Sequence, residues 1–453
     1  MRYKDFLQNK AQISSKDGFD PIFTPKFLFD FQKLLVEWSL KGGSRAIFAD
    51  CGMGKTPMQL VWAQNIIQKF NKPVLIVAPL SVSLQTIEES EKFDIEAVRS
   101  MTGKYKGKKI IVTNYERLHY FNPKDFEGVV CDESSIMKNF DGIRKAEITE
   151  FMRKIKYRLL CTATAAPNDY IELGTSSEAL GHMGYIDMLS HFFKNDQDSI
   201  SPAFYRAQWR FKHHAEDDFW HWMISWSRAC RKPSDLGFKD NKFILPELIE
   251  KEYIIKGIVS KRQKGFFTIT STNWKEQRED VRDSIQQRCE IASEKLEKVK
   301  SGIAWCHLNK ESEILTNLIK GAIEVKGSDS DEKKEEAFMA FRHKEIRVLV
   351  TKPKIAAFGM NWQHCSDMTY FPTHSYEQYY QAIRRCWRFG QNKKVNVHLI
   401  TTEALTEMLK SMKRKSIACD KMFNKLVEKM NASLYSIETI KHERKVKIPS
   451  WNV

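Results

Sequence analysis

Short apolar runs punctuate this chain in two series. The first falls at 45–50, 73–79, 108–113, 127–132 and 157–162, and the second at 301–306, 322–326, 346–351, 367–371 and 395–400. Each run is apolar on both faces, the pattern of a strand buried within a parallel sheet. Helix-length stretches lie between them, so the pattern predicts an α/β chain with two lobes in tandem, each a parallel sheet flanked by helices. Ligands of such sheets bind beyond the carboxyl ends of the strands. The expected division is a first lobe over 1–175, an aromatic-rich helical insertion and linker over 176–245, a second lobe over 246–402 and a basic helical extension over 403–453.

The insertion departs from the pattern on either side of it. Between Phe204 and Trp226 it holds Phe204, Tyr205, Trp209, Phe211, Phe219, Trp220, Trp222 and Trp226, with His213, His214 and His221 among them. Trp222 and Trp226 are four apart and share a helix face, so the block is expected to pack a small core of its own rather than offer a base-stacking surface. No third ligand stands at a spacing that would make the histidines a metal site. Pro233, Gly237 and Pro246 mark the linker into the second lobe. From Glu403 to Lys447 apolar and basic residues alternate, including Lys410, Lys413, Arg414 and Lys415, then Lys441, Arg444, Lys445 and Lys447. This reads as a solvated helix bracing the first lobe, with a phosphate-contacting flank as the alternative.

Chemistry gathers where apolar runs end. Ala49-Asp50-Cys51-Gly52-Met53-Gly54-Lys55-Thr56 follows the first strand and opens a helical stretch from Pro57 to Phe70. Gly52 and Gly54 let backbone N–H groups curl around phosphate at a helix N-terminus, Lys55 neutralises the outer phosphates, and the Thr56 hydroxyl can ligate magnesium. The run Val129-Val130-Cys131 ends in Asp132 and Glu133. Asp132 is expected to hold magnesium through a water and Glu133 to orient or deprotonate the attacking water. Near the other end of the chain, Gln381 to Gln391 is expected to be a helix on which Arg385 and Arg388, three apart, project from one face as arginine fingers.

These motifs, in this order, resemble those of the Swi/Snf branch of the superfamily-two helicase-like ATPases, in a minimal form such as bacteria and bacteriophages carry. The resemblance covers roughly residues 25 to 400. It takes in Phe31-Gln32, Val77-Ala78-Pro79-Leu80-Ser81, Val112-Thr113-Asn114-Tyr115-Glu116, the Asp132-Glu133 pair and the Thr162 to Asn168 turn. In the second lobe it continues with Ile303-Ala304-Trp305-Cys306, Thr351-Lys352, Gly359-Met360-Asn361-Trp362 and the Gln381 to Gln391 segment. It implies two RecA-like lobes, with ATP and magnesium as cofactors and Gln32 reading the adenine. It further implies that Pro79, Ser81, Thr113, Asn114, Lys352 and Asn361 contact a nucleic-acid backbone, and that Thr162, Thr164 and Gln381 couple hydrolysis to that contact. The chain departs from the family at Ser135, where a histidine is usual, at Ala163-Thr164-Ala165 in place of Gly-Thr-Pro, and at Gln85 to Glu89, where a tryptophan and glutamate are common.

The expected function is therefore an ATP-dependent DNA motor, a helicase-like translocase acting on duplex DNA. A strand-separating DNA or RNA helicase and an ATP-gated nucleic-acid clamp are the alternatives. A net charge of +16 and a pI near 9.2 agree with a polyanionic partner. Nine cysteines without a Cys-x-x-Cys pair argue against zinc and for a reducing compartment. The first fifteen residues are polar, and no apolar run approaches the roughly 18 residues of a membrane span, so a cytoplasmic protein is expected, in a bacterium or an infected host. A monomer is expected, and with no recognisable targeting module the motor would obtain its targeting from a protein partner.

Overall fold

The computed structural model describes residues 18–107, 109–138, 142–165, 170–195, 209–212, 214–256, 274–356 and 360–434. Phe204, Tyr205, His213, Asn168, Gly359 and the basic residues from Lys441 to Lys447 lie outside them, as does the side chain of Ser81. Strands are labelled in chain order: β1 (Ser44–Ala49), β2 (Val74–Ala78), β3 (Ala97–Arg99), β4 (Ile110–Asn114), β5 (Gly128–Asp132), β6 (Tyr157–Cys161), β7 (Phe193–Asn195), β8 (Trp209–Phe211), β9 (Ser227–Cys230), β10 (Leu248–Ile255), β11 (Gly302–Trp305), β12 (Ala322–Glu324), β13 (Val348–Thr351), β14 (Asp367–Tyr370) and β15 (Val395–Thr402).

The first sheet has seven strands in the order β3-β4-β2-β5-β6-β1-β9, and the second has six in the order β10-β15-β14-β11-β13-β12. Every pairing within both is parallel. Each sheet carries helices on its faces, so the chain has the two-lobe α/β architecture that the spacing of apolar runs predicts. Strands β2, β4 and β5 are buried along their whole length, which is why their sequences are unbroken apolar runs and do not alternate. Their carboxyl ends, together with that of β1, point into the space between the lobes.

The segment expected as an insertion is tied into the first lobe. Strand β9 lies alongside β1, with Ala46 opposite Ser227 and Ala49 opposite Cys230. The helix Glu216–Trp226 precedes it and buries Phe219, Trp220, Trp222 and Trp226, while β7 and β8 pair antiparallel with Phe193 opposite Phe211. Trp222 and Trp226 meet edge to face at 5.3 Å between ring centres, and both are buried. Rings held in a core this way stabilise it and are not available to stack on bases.

The helix Thr406–Leu434 leaves the second sheet after β15 and crosses to the first lobe. Leu409, Met412, Cys419, Met422, Phe423, Leu426 and Met430 follow the helical period and are buried, so one face of the helix is docked. Arg231–Asp420 at 2.7 Å and Lys429–Asp217 at 2.8 Å fasten its flanks to the first lobe, and Lys413 pairs with Glu252 in the second. Exposed pairs of this kind contribute about 0–1 kcal/mol each, so the apolar face does most of the holding. Among the described residues no helix is long and apolar enough to cross a membrane.

Candidate nucleotide cleft between the lobes

The turn after β1 has the backbone of a phosphate cradle. Gly52 and Gly54 take φ values of 89° and 78°, a region that L side chains rarely adopt. A Cβ on Gly54 would stand 2.2 Å from Gln32 Nε2, and one on Gly52 would stand 2.7 Å from the Phe389 backbone nitrogen, so neither position has room for a side chain. The helix Lys55–Phe70 begins directly afterwards and aims its N-terminus at the loop. Gln32 braces the loop from the helix Asp30–Gly42. Its Nε2 donates to Met53 O at 2.9 Å, and its Oε1 accepts from Phe29 N at 3.0 Å. Lys55 Nζ donates to Ala49 O at 3.0 Å. Burial alone would pull the Lys55 pKa down, but the charges of Glu133, Asp132 and Asp50 outweigh it and the ammonium is held above its usual range.

Asp132 and Glu133 close β5. Gln59, on the helix Lys55–Phe70, donates from Nε2 to Asp132 Oδ1 at 2.7 Å and fixes that carboxylate. Burial and the adjacent Glu133 push the Asp132 carboxyl up to about 6, against the opposing effects of Lys55 and Gln59. Glu133 sits at φ 48°, a left-handed conformation that costs a side-chain-bearing residue on the order of 1–3 kcal/mol and persists only where the surroundings impose it. The strain turns its carboxylate toward Thr162, whose Oγ1 donates to Glu133 Oε2 at 3.4 Å. Thr164 N donates to Thr162 Oγ1 at 3.2 Å, and Gln381 Nε2 donates to Thr164 Oγ1 at 3.2 Å. The three residues expected to couple hydrolysis to nucleic-acid contact form one chain of hydrogen bonds from the acidic pair into the second lobe. Ser135 joins this chain, its Oγ accepting from Thr164 Oγ1 at 3.3 Å.

The second lobe supplies the opposite wall in a form the spacing did not predict. The helix expected over Gln381–Gln391 runs instead from Tyr376 to Ile383, and the arginines stand on the turn that follows it. They therefore share no helix face. Arg385 is buried, donating from Nε to Gln381 O at 3.0 Å, from Nη2 to Gln381 Oε1 at 3.0 Å and from Nη1 to Met360 O at 3.3 Å. Its Nη2 also lies 3.8 Å from Cys51 Sγ on the phosphate loop. Arg388 has a buried Nε without a hydrogen-bond partner. Burial, and then the charge of Arg385, lower its pKa to about 10, which leaves it cationic at neutral pH. A third arginine, Arg384, was not singled out by spacing. It forms an ion pair with Asp50 of the loop, and the Tyr380 hydroxyl donates to the same carboxylate. The available signal was Asp50 itself, because an acid inside a phosphate loop requires a cationic partner.

Between these walls lies a cavity of about 510 Å³ lined by Gln32, Gly52, Gly54, Lys55, Thr56, Asp132, Glu133, Asn361, Arg385 and Arg388, with Phe29, Phe243 and Phe389 among the aromatic residues that border it. The Thr56 hydroxyl and Asp132 carboxylate are hard oxygen donors in one lining, a set that fits magnesium, which takes few protein ligands and completes its shell with water and phosphate oxygens.

The residues expected to touch a nucleic-acid backbone are not brought together. Asn361 lines the nucleotide cavity with the arginines, and its buried Oδ1 has no partner. Thr113 and Asn114 close β4 with both side chains buried. Pro79 borders a second inter-lobe cavity of about 430 Å³ with Lys334, Lys354 and Gln378. Lys352 follows β13 and donates to Asn309 Oδ1.

The Helicase conserved C-terminal domain family matches residues 283–390. The DNA annealing helicase and endonuclease ZRANB3 of Mus musculus is 30% identical over 171 residues, which is 34% of this chain and 16% of that protein. The matched stretch thus spans less than a fifth of that curated relative's length. Among solved structures, the dbp5 l327v protein of S. cerevisiae bound to gle1 h337r and ip6 aligns over 88% of this chain and 92% of its own, with 14% identity and a TM-score of 0.51, a likeness of fold alone. The Sulfolobus solfataricus SWI2/SNF2 ATPase core in complex with dsDNA aligns over 96% of this chain and 98% of its own, with 17% identity and a TM-score of 0.41.

Proposed function

We propose that the chain is a Swi/Snf-like helicase of superfamily two that hydrolyses ATP in the cleft between its lobes while tracking the backbone of duplex DNA. One observation carries this reading: a single cavity has the phosphate loop and acidic pair on one wall and two cationic arginines from the other lobe on the facing wall. Phosphoryl transfer needs positioning and charge neutralisation more than covalent chemistry, and this arrangement supplies both.

Loop N–H groups and Lys55 hold the β- and γ-phosphates. Glu133, turned by its strained backbone, orients the attacking water and accepts its proton. Arg385 and Arg388 neutralise the charge that develops on the transferred group. Thr56 and Asp132 would hold a magnesium ion, which neutralises phosphate oxygens when bound. The hydrogen-bonded series Glu133, Thr162, Thr164 and Gln381 runs from the acidic pair to the arginine turn, so a change at one end is felt at the other. Gln32 holds the loop by its amide, lines the same cavity and is the proposed adenine contact.

For the nucleic-acid surface, Pro79, Ser81 and Lys352 remain the proposed contacts. Thr113 and Asn114 are the buried last residues of β4, and Asn361 lines the nucleotide cavity. The +16 charge favours a polyanion, and backbone contacts carry little sequence information, so weak sequence preference and targeting by a protein partner follow. The buried Trp222 and Trp226 supply no wedge, which favours translocation over strand separation.

The test is ATP hydrolysis measured side by side with duplex DNA, single-stranded DNA and RNA. Duplex DNA is expected to stimulate most, with the stimulation falling as salt rises, and a forked duplex is expected to stay closed. Hydrolysis stimulated only by RNA, or efficient fork opening, overturns this reading in favour of a helicase.

A further inference from the structure

The turn Arg384–Phe389 carries three arginines, and only two of them face the cavity. Arg384 is buried against the loop residue Asp50, which is also buried. The Asp50 carboxylate is fully engaged. Its Oδ1 accepts from Cys51 N at 2.6 Å and from the Tyr380 hydroxyl, and its Oδ2 accepts from Arg384 Nη2. The guanidinium is held on its other side, with Nη1 donating to Trp387 O at 3.2 Å and the Trp387 and Tyr380 rings 4.8 and 5.5 Å from its centre.

A carboxylate in a loop that cradles phosphate repels its own ligand unless a fixed cation neutralises it. Asp50 has that cation, and the cation comes from the other lobe. The pair also lies one residue from both functional groups it could place: Cys51 and Gly52 follow Asp50, and Arg385 follows Arg384. The turn touches the loop so closely that a Cβ on Gly52 would meet Phe389.

We propose that Arg384 is a positioning residue, not a third finger: its ion pair with Asp50 docks the turn onto the phosphate loop and so brings Arg385 and Arg388 to the γ-phosphate. This rests on the nucleotide-cleft reading above. Among the described residues two other ion pairs join the lobes, Arg99–Glu335 and Arg342–Glu88, and both keep partial solvent exposure. Screened pairs hold weakly, so the buried pair at the loop governs the docking and Arg99 provides a control.

The experiment uses the full chain and compares Arg384→Gln, Asp50→Asn, the double variant, Arg384→Lys and the control Arg99→Gln. Misplaced catalytic groups cost roughly a hundredfold in rate, so Arg384→Gln and Asp50→Asn should each lose about that much in kcat with far less change in ATP affinity. Because each removes the same pair, the double variant should be no slower than either single one. Arg384→Lys keeps the charge and should recover most of the rate, and Arg99→Gln should match the parent. In parallel, small-angle scattering without nucleotide should give a larger radius of gyration for Arg384→Gln than for the parent. Independent, multiplying losses in the double variant, no recovery with lysine, or an unchanged radius of gyration would each overturn the proposal. If the parent hydrolyses no ATP, the nucleotide-cleft reading fails, while scattering still decides whether the pair docks the lobes.

Discussion

Both sheets are wholly parallel and both aim their carboxyl ends at the cleft, yet they are furnished very differently. The first presents a glycine cradle, a lysine, two carboxylates and the Thr162–Thr164 turn from the ends of β1, β5 and β6. The second presents Asn361 and one arginine-bearing turn beyond a short helix. In the proposed function the first lobe binds the nucleotide and the second completes the chemistry. On that proposal the reaction is conditional on contact between the lobes, so a change that shifts the contact is expected to change the rate.

Three changes in the first lobe and one in its aromatic core sharpen the contrast. The largest effect is expected from Lys55→Ala, which should abolish hydrolysis and weaken ATP binding while the melting temperature stays near the parent's, because the residue adds little packing. Unchanged turnover in the folded variant would remove the assignment of the loop. Glu133→Gln should bind ATP and DNA and yet hydrolyse roughly 10² to 10⁴ times more slowly, the range that general-base catalysis supplies. Loss of ATP binding itself would mean that the carboxylate has another role. Trp226→Ala should cost about 3–5 kcal/mol of stability in a denaturant titration, as truncating a buried indole does. A stable Trp226→Ala protein that lost only its response to DNA would contradict the burial described for it.

The smallest effect is one of pH. The Asp132 carboxyl is pushed from 3.8 up to about 6, so the folded chain holds this proton more tightly than the unfolded chain. Its contribution to stability is therefore favourable in acid and is lost as pH rises through that interval. Magnesium needs the carboxylate, so magnesium-dependent ATP binding should weaken as pH falls below about 6. Asp132→Asn should bind more weakly throughout and lose that dependence, and an unaltered pH profile in that variant would point to a different titrating group.

What could be read in the sequence was whatever physics writes locally. Strands buried on both faces appear as apolar runs, and the phosphate loop needs its glycines wherever the rest of the chain goes. Strand β10 escaped notice because it is a half-exposed edge bearing Glu250, Lys251 and Glu252, and β9 because its four residues, Ser227 to Cys230, follow a helix dense in aromatics. The arginine turn differs from the helix that three-residue spacing predicts because the helix ends at Ile383. The pairing of Arg384 with Asp50 depends on contact between distant segments, which no local pattern records.

The central claim is that one nucleotide site is divided between two lobes, and Arg388→Ala in the full chain tests it most directly. Steady-state hydrolysis with duplex DNA, paired with an equilibrium measurement of ATP binding, should show turnover reduced by roughly 10³ to 10⁵, as arginine fingers typically contribute, with affinity kept within about tenfold. Turnover equal to the parent's would mean that the first lobe works alone and would contradict the account.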